Sequence, residues 1–339
     1  MKKILISGSL GLTGSSCVSL FKEKGWEVHG LDNNQRSALF GTAPVQNKEG
    51  YYHKVNICDE AAVSELFSKY KFDAIIHTAA QPSHDYAQDH VKEDFLINAW
   101  GTLVLLEATR TWCPKATFVH MSTDKVYGEN MSANWVEEET RYTHPGYLSE
   151  KDASFVPYAG FNESLGLDFA GKRSLFGCSK TAGDVYAQEY ANYFGMNVGI
   201  FRPGCITGKN HQGAELHGFL SYLAKCIKDE KVYKIFGFKG KQVRDQIHAD
   251  DVASAFAEFI ENPKAGGVYN LGGGPERSCS VLEAIKYLED ATGKKAKVEF
   301  HEERAGDRCW DVHDMTKFKS DYSNWQINKS LQDIIADLV

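Results

Sequence analysis

A strand, a glycine-spaced turn and a helix open this chain, and that order restricts the fold more than any other feature. Lys3–Ser7 is a short apolar run that reads as a strand. Gly8-Ser9-Leu10-Gly11-Leu12-Thr13-Gly14 follows at once, and residues 14–24 read as a helix. Glycines in such a turn permit a tight reversal and let a diphosphate approach the backbone, while the helix N-terminus favours negative charge. A bare glycine pattern says little, but placed between strand and helix it points to a bound dinucleotide. Gly8, Gly11, Leu12, Thr13 and Gly14 are therefore the candidate phosphate-loop residues. Asp32, with Asn33 beside it, ends a second predicted strand, Glu27–Leu31, at the distance expected of a ribose-binding carboxylate. Its charge would repel a 2′-phosphate, so NAD is expected over NADP, with Arg36 the one nearby residue that favours the phosphate.

The pattern then repeats. Residues 61–69 read as a helix, 74–78 as a strand, 94–112 as a long helix, Thr117–Met121 as a strand, Ser174–Phe194 as a helix and 198–201 as a buried strand. Alternating strands and helices imply a parallel sheet with right-handed crossovers, hence an α/β, doubly wound (Rossmann) fold. Beyond Arg202-Pro203 the loops lengthen, a helix is expected at 219–229 and a strand and turn at 232–240. We read 1–203 plus about 250–273 as the NAD-binding domain. The remainder, 204–249 plus about 274–339, reads as a smaller C-terminal substrate-binding lobe. Residues 130–175 are polar, aromatic-rich and weakly periodic, a texture typical of a functional loop.

Composition narrows the class. Hydrophobic content of 42%, charged content of 24% and a net charge of −7 suit a globular protein and argue against nucleic acid or an anionic membrane as partner. The eight cysteines form no CxxC pair and no Cys/His ligand spacing, so reduced thiols are expected, with no metal site. Met1-Lys2-Lys3 precedes an apolar run that breaks at Ser7, and no window of about 20 apolar residues follows. The cytoplasm is the expected compartment.

Two further strings carry a resemblance. Met121-Ser122-Thr123-Asp124-Lys125-Val126-Tyr127-Gly128 follows the predicted strand Thr117–Met121, and Ser174-Leu175-Phe176-Gly177-Cys178-Ser179-Lys180 opens a helix. With the Gly-x-x-Gly-x-x-Gly spacing, the chain resembles the extended short-chain dehydrogenase/reductases, and within them the nucleotide-sugar epimerases and dehydratases. The resemblance implies an NAD enzyme in which Thr123, with Ser122, binds the substrate hydroxyl and Lys180 binds the nicotinamide ribose. It places Asn56-Ile57 near the adenine, and Ala79-Ala80-Gln81 and Arg202 in the cofactor region. Asn98 reads equally well as a cofactor-site residue or as a buried asparagine holding backbone groups. The family's catalytic tyrosine corresponds to Phe176, which keeps the ring and lacks the proton acceptor. Either a Tyr-to-Phe change traps ligand, or another group is the base; Asp124, Glu163, Tyr158, His84 and Cys178 are the candidates.

Gly240-Lys241-Gln242-Val243-Arg244-Asp245, with His248 and Asp250-Asp251, is similar to the corresponding string of CDP-paratose (tyvelose) 2-epimerases. So are Glu139–Tyr142 and the stretch from Asn162 through Asp168 and Phe169. By that likeness Gly204, Gln242, Arg244 and Arg304 bind substrate, the arginines gripping the pyrophosphate. The implied reaction is C2 epimerisation of a CDP-linked deoxyhexose, by a homodimer or homotetramer. A nucleotide-sugar 4,6-dehydratase and a non-catalytic NAD-binding sensor stand as the rival readings.

Overall fold

The computed structural model describes residues 1–35, 51–128, 135–143, 155–156, 160–167, 173–209, 211, 213, 218–303 and 307–339. Arg36, Tyr158, Asp168, Phe169 and Arg304 lie outside the described residues. The chain divides into two compact units, one made of residues 1–123, 175–202 and 252–268, the other of 124–174, 203–251 and 269–339.

The first unit is built on a seven-stranded sheet. Its strands are β1 (Lys3–Ser7), β2 (Glu27–Leu31), β3 (Tyr51–His53), β4 (Ala74–His77), β5 (Thr117–Met121), β6 (Val198–Pro203) and β7 (Gly267–Leu271). The spatial order is β7-β6-β5-β4-β1-β2-β3, and the unit boundary falls within β6 and β7. Pairing is parallel from β3 through β6. The strands are short and almost wholly apolar because helices cover both faces, as parallel sheets require. Leu5, Leu31, Ile75, Phe118 and Val198 meet Val63 and Phe67 of helix Glu60–Tyr70, and Leu105 of helix Gly101–Trp112, in one buried core. Strand order reverses between β1 and β4. That switch point is where an open α/β sheet leaves a crevice at the carboxyl ends of its strands.

Local chemistry sets the helix ends. Asp59 caps helix Glu60–Tyr70 by accepting from the Ala62 amide at 3.1 Å. The long helix expected at 94–112 begins earlier, at Val91, and contains an irregularity. Leu96–Trp100 forms a π turn, in which the Gly101 amide reaches back five residues to the Leu96 carbonyl. Ser174–Phe194 is a continuous helix with the expected bounds.

In the second unit Cys205–Thr207, Val243–His248 and Ser278–Ser280 form a small sheet, with Trp310–Asp311 pairing to Val243–His248. A separate parallel pair joins Val232–Phe236 to Lys297–His301. The segment 124–174 is tied into this unit through Phe161, whose amide donates to the Val312 carbonyl at 2.9 Å. No helix among the described residues is long and apolar enough to cross a membrane.

Candidate active site

The glycine turn has the shape a diphosphate needs. Gly8 has φ +70°, and a Cβ there would lie 2.7 Å from the Ala79 amide nitrogen. A Cβ on Gly14 would lie 2.1 Å from the Gly8 carbonyl oxygen, so helix and turn touch with no room for a side chain. Leu12 opens the helix Leu12–Glu23, Thr13 is buried in its first turn, and Gly11 is its N-cap. The Asp32 carboxylate accepts from the Leu10 amide at 3.1 Å and from the Asn34 amide at 2.7 Å, which ties the end of β2 to the turn. Asn33 bonds to Gln35 at 3.2 Å. Sequence reasoning missed Ser9. Its hydroxyl is buried in the turn and has no hydrogen-bond partner among the described residues. A buried donor without a partner is unfavourable in a bare protein and is satisfied by an acceptor such as a phosphate oxygen. The turn thus fits the diphosphate of NAD.

Beneath the turn, buried polar groups fix the backbone. The Thr102 hydroxyl donates to the Asn98 carbonyl at 2.7 Å, so it accepts from His77 Nε2 at 3.0 Å. His77 Nδ1 is then left to accept from the Ser7 hydroxyl at 2.8 Å. Burial drives His77 to its neutral form, which this relay demands. His77 gave no signal in the sequence because its partners come from β1 and from a distant helix.

Asn98 proves to be a fastener. Its side chain accepts from the Gln81 amide and donates to the Gln81 carbonyl, the Asp94 carboxylate and the Ser179 hydroxyl, all at 3.0 Å. Gln81 donates to Asp94 at 2.8 Å and to the Ser83 carbonyl at 2.8 Å. Ala79 and Ala80 are half-buried before it. Asn56 is exposed and caps its own turn through the Cys58 amide, whereas Ile57 is buried in the core.

At the end of β5, Ser122 and Thr123 are buried. Ser122 donates to Asp184 at 2.5 Å, and Arg202 makes a fork to the same carboxylate at 2.8 and 3.0 Å. The Arg202 guanidinium therefore serves a buried ion pair. Lys180, one helical turn after Phe176, is also buried and donates to the Met121 carbonyl at 2.6 Å. Burial lowers its ammonium to about 8. Phe176 is buried, and its ring meets the His84 imidazole edge-on, with centroids 4.9 Å apart and planes at 67°.

The second unit holds the other expected residues. Arg244 donates to the Asp307 carboxylate and to the Arg308 carbonyl, both at 2.6 Å. Gln242 donates to the Phe236 carbonyl at 3.1 Å, and its buried oxygen has no partner among the described residues. Gly204 lies so close to His313 that a Cβ would stand 2.2 Å from the ring. Asp124 accepts from Arg308 at 2.9 Å and from Lys125 at 3.1 Å, and both cations also reach Asp311. Asp124 is thus engaged by two cations of its own unit. Glu163 accepts from the Asn270 amide at 2.6 Å, and burial raises its carboxyl. Cys178 is exposed.

The sequence model of the NAD dependent epimerase/dehydratase family matches residues 4–272. The chain belongs to that family. Among its relatives, CDP-paratose 2-epimerase of Salmonella typhi is 34% identical over 85% of this chain and 84% of that protein. UDP-glucose 4-epimerase of Mycolicibacterium smegmatis is 26% identical over 99% of this chain and 97% of that protein. The crystal structure of the Thermus thermophilus UDP-glucose 4-epimerase complex with NAD superposes with a TM-score of 0.78 and 23% identity. It covers 98% of this chain and 96% of that one. Membership in the NAD dependent epimerase/dehydratase family agrees with NAD as the cofactor.

Proposed function

We propose that this chain is an NAD-dependent nucleotide-sugar epimerase, acting at C2 of a CDP-linked deoxyhexose. The observation that carries the reading is its 34% identity, across 85% of the chain, to a CDP-paratose 2-epimerase. In this reading Gly8, Ser9, Gly11, Leu12, Thr13 and Gly14 hold the diphosphate of NAD, and Asp32 holds its adenosine ribose. Lys180 presents its ammonium to the nicotinamide ribose, and Thr123 hydrogen-bonds the substrate hydroxyl. Gln242, Arg244 and Arg304 take the nucleotide and pyrophosphate of the sugar donor, Arg244 exchanging its Asp307 contact for phosphate oxygens. NAD supplies a reversible hydride acceptor; the protein orients one carbon of the sugar to it and moves one proton.

A 4,6-dehydratase would use Asp124 to protonate the departing hydroxyl. Its engagement by Arg308 and Lys125 speaks for the epimerase. Exposed Phe95, Leu96, Trp100, Tyr186 and Phe194 on two helices of the first unit support assembly as a homodimer or homotetramer. The net charge and the cofactor support a cytoplasmic site of action.

The test is incubation of the NAD-loaded protein with CDP-, UDP- and dTDP-linked hexoses in heavy water. An isomer of a CDP-sugar with unchanged mass is the expected product. A product lighter by one water makes the chain a dehydratase, and no product from any donor makes it a binding protein.

A further inference from the structure

We propose that His84 is the catalytic acid/base of this enzyme, standing in for the hydroxyl that Phe176 lacks. The inference rests on the epimerase reading, because it assigns the proton of that reaction. Ring 176 offers no proton acceptor, and the ring in contact with it does. The His84 imidazole packs edge-on against Phe176 at a centroid separation of 4.9 Å. The contact is braced by hydrogen bonds on the His84 side. Ser83 caps the short helix that His84 opens, its hydroxyl accepting from the Tyr86 amide at 3.2 Å. The Ser83 amide donates to the Gln81 side chain at 2.6 Å, and Gln81 is held by Asn98 and Asp94. Asn98 also donates to Ser179, on the helix that carries Phe176 and Lys180. One hydrogen-bond network, buried at Gln81, Asn98 and Ser179, thus ties the His84 loop to the Phe176 helix, the kind of support a proton-transfer group requires. Among the described alternatives, Asp124 is paired with two cations and Glu163 is bound to the Asn270 amide.

In the forward half-reaction an imidazole nitrogen accepts the proton of the sugar hydroxyl. NAD, when bound, would supply the acceptor for the C–H electron pair as the C–O bond becomes a carbonyl. In the return half-reaction the reduced cofactor would return that hydride to the opposite face, and the imidazolium returns the same proton to oxygen. Neither electrons nor protons are gained overall.

The experiment uses NAD-loaded protein and the nucleotide sugar that the wild type isomerises, comparing H84N, F176Y and the double variant. H84N is expected to lose about 10²–10⁴-fold in turnover with NAD affinity unchanged. The double variant, with a phenol beside Lys180, is expected to recover to within tenfold of F176Y. A purely structural histidine would not be rescued by a hydroxyl on its neighbour. H84A supplied with free imidazole is the second route, and recovery of turnover is expected there too. H84N retaining more than a third of wild-type turnover overturns the proposal. So does a failure of both the tyrosine and the imidazole rescues. If the wild type isomerises no sugar, the epimerase reading itself falls and takes this assignment with it.

Discussion

The Lys180 ammonium donates to the Met121 carbonyl at 2.6 Å while buried, and its pKa falls from the ordinary 10.5 to about 8. Desolvation disfavours the charged form, and the charges of Asp184 and Asp94 only partly offset it. A base whose folded pKa is lowered costs stability while both states are protonated, below pH 8. The cost fades as pH rises from about 8 towards 10.5, where the unfolded chain holds the proton and the folded one does not. At 1.36 kcal/mol per unit, the cost at neutral pH is about 3 kcal/mol. In denaturant titrations of NAD-free protein, Lys180→Met should therefore gain most on the wild type at pH 7. The gap should narrow steadily to pH 10, and a gap independent of pH would mean that the ammonium is not desolvated.

The Arg202–Asp184 pair predicts a different kind of defect. Removing one partner leaves a buried charge without compensation, which costs about 3–5 kcal/mol. Asp184→Asn should lower the denaturation midpoint by that amount and also loosen Ser122. At a temperature where the variant stays folded, NAD titration should give the wild-type affinity within a few fold. A large loss of NAD affinity would instead make Arg202 a cofactor ligand.

At the turn, Gly14→Ala places a methyl 2.1 Å from the Gly8 carbonyl, and the backbone must give way. Overpacking of this kind costs about 1–3 kcal/mol. The loss should appear both as a lower melting temperature and as weaker NAD binding by calorimetry, since the displaced turn is the proposed diphosphate cradle. Gly25→Ala is the control, because a Cβ there meets nothing within 4 Å, although its φ of +75° adds local strain.

Asp32→Ala should remove the proposed charge-assisted contact to the ribose, worth about 1.5–3 kcal/mol, or roughly 10- to 100-fold in affinity. NADP should suffer less, because the repulsion of its 2′-phosphate disappears with the carboxylate. Parallel fluorescence titrations with both cofactors decide it; equal losses for the two would mean that Asp32 only braces the Leu10 and Asn34 amides.

The parts of the site that the sequence displayed are those in which neighbours along the chain act together. The glycine turn, Asp32 at a strand end, and Lys180 one turn after Phe176 each follow from local spacing, and so do the bounds of Ser174–Phe194. What stayed hidden depends on residues far apart in sequence. Asp184 claims Arg202, Arg308 claims Asp124, and His84 meets Phe176 where Asn98 ties the Gln81 turn to Ser179. The π turn was equally illegible, because a widened turn leaves the apolar periodicity of 94–112 almost unchanged.

The widened turn at Leu96–Trp100 holds one residue more than regular helical spacing would need. Deleting a single residue there would restore ordinary helical geometry and leave the flanking turns facing as they do now. The extra residue is taken up within the turn, so Asn98 keeps Gln81 and Ser179 while Thr102 keeps His77. The widened turn is an absorbed insertion: one residue of length is accommodated without re-aiming either group, on the stretch where Phe95, Leu96 and Trp100 face outward.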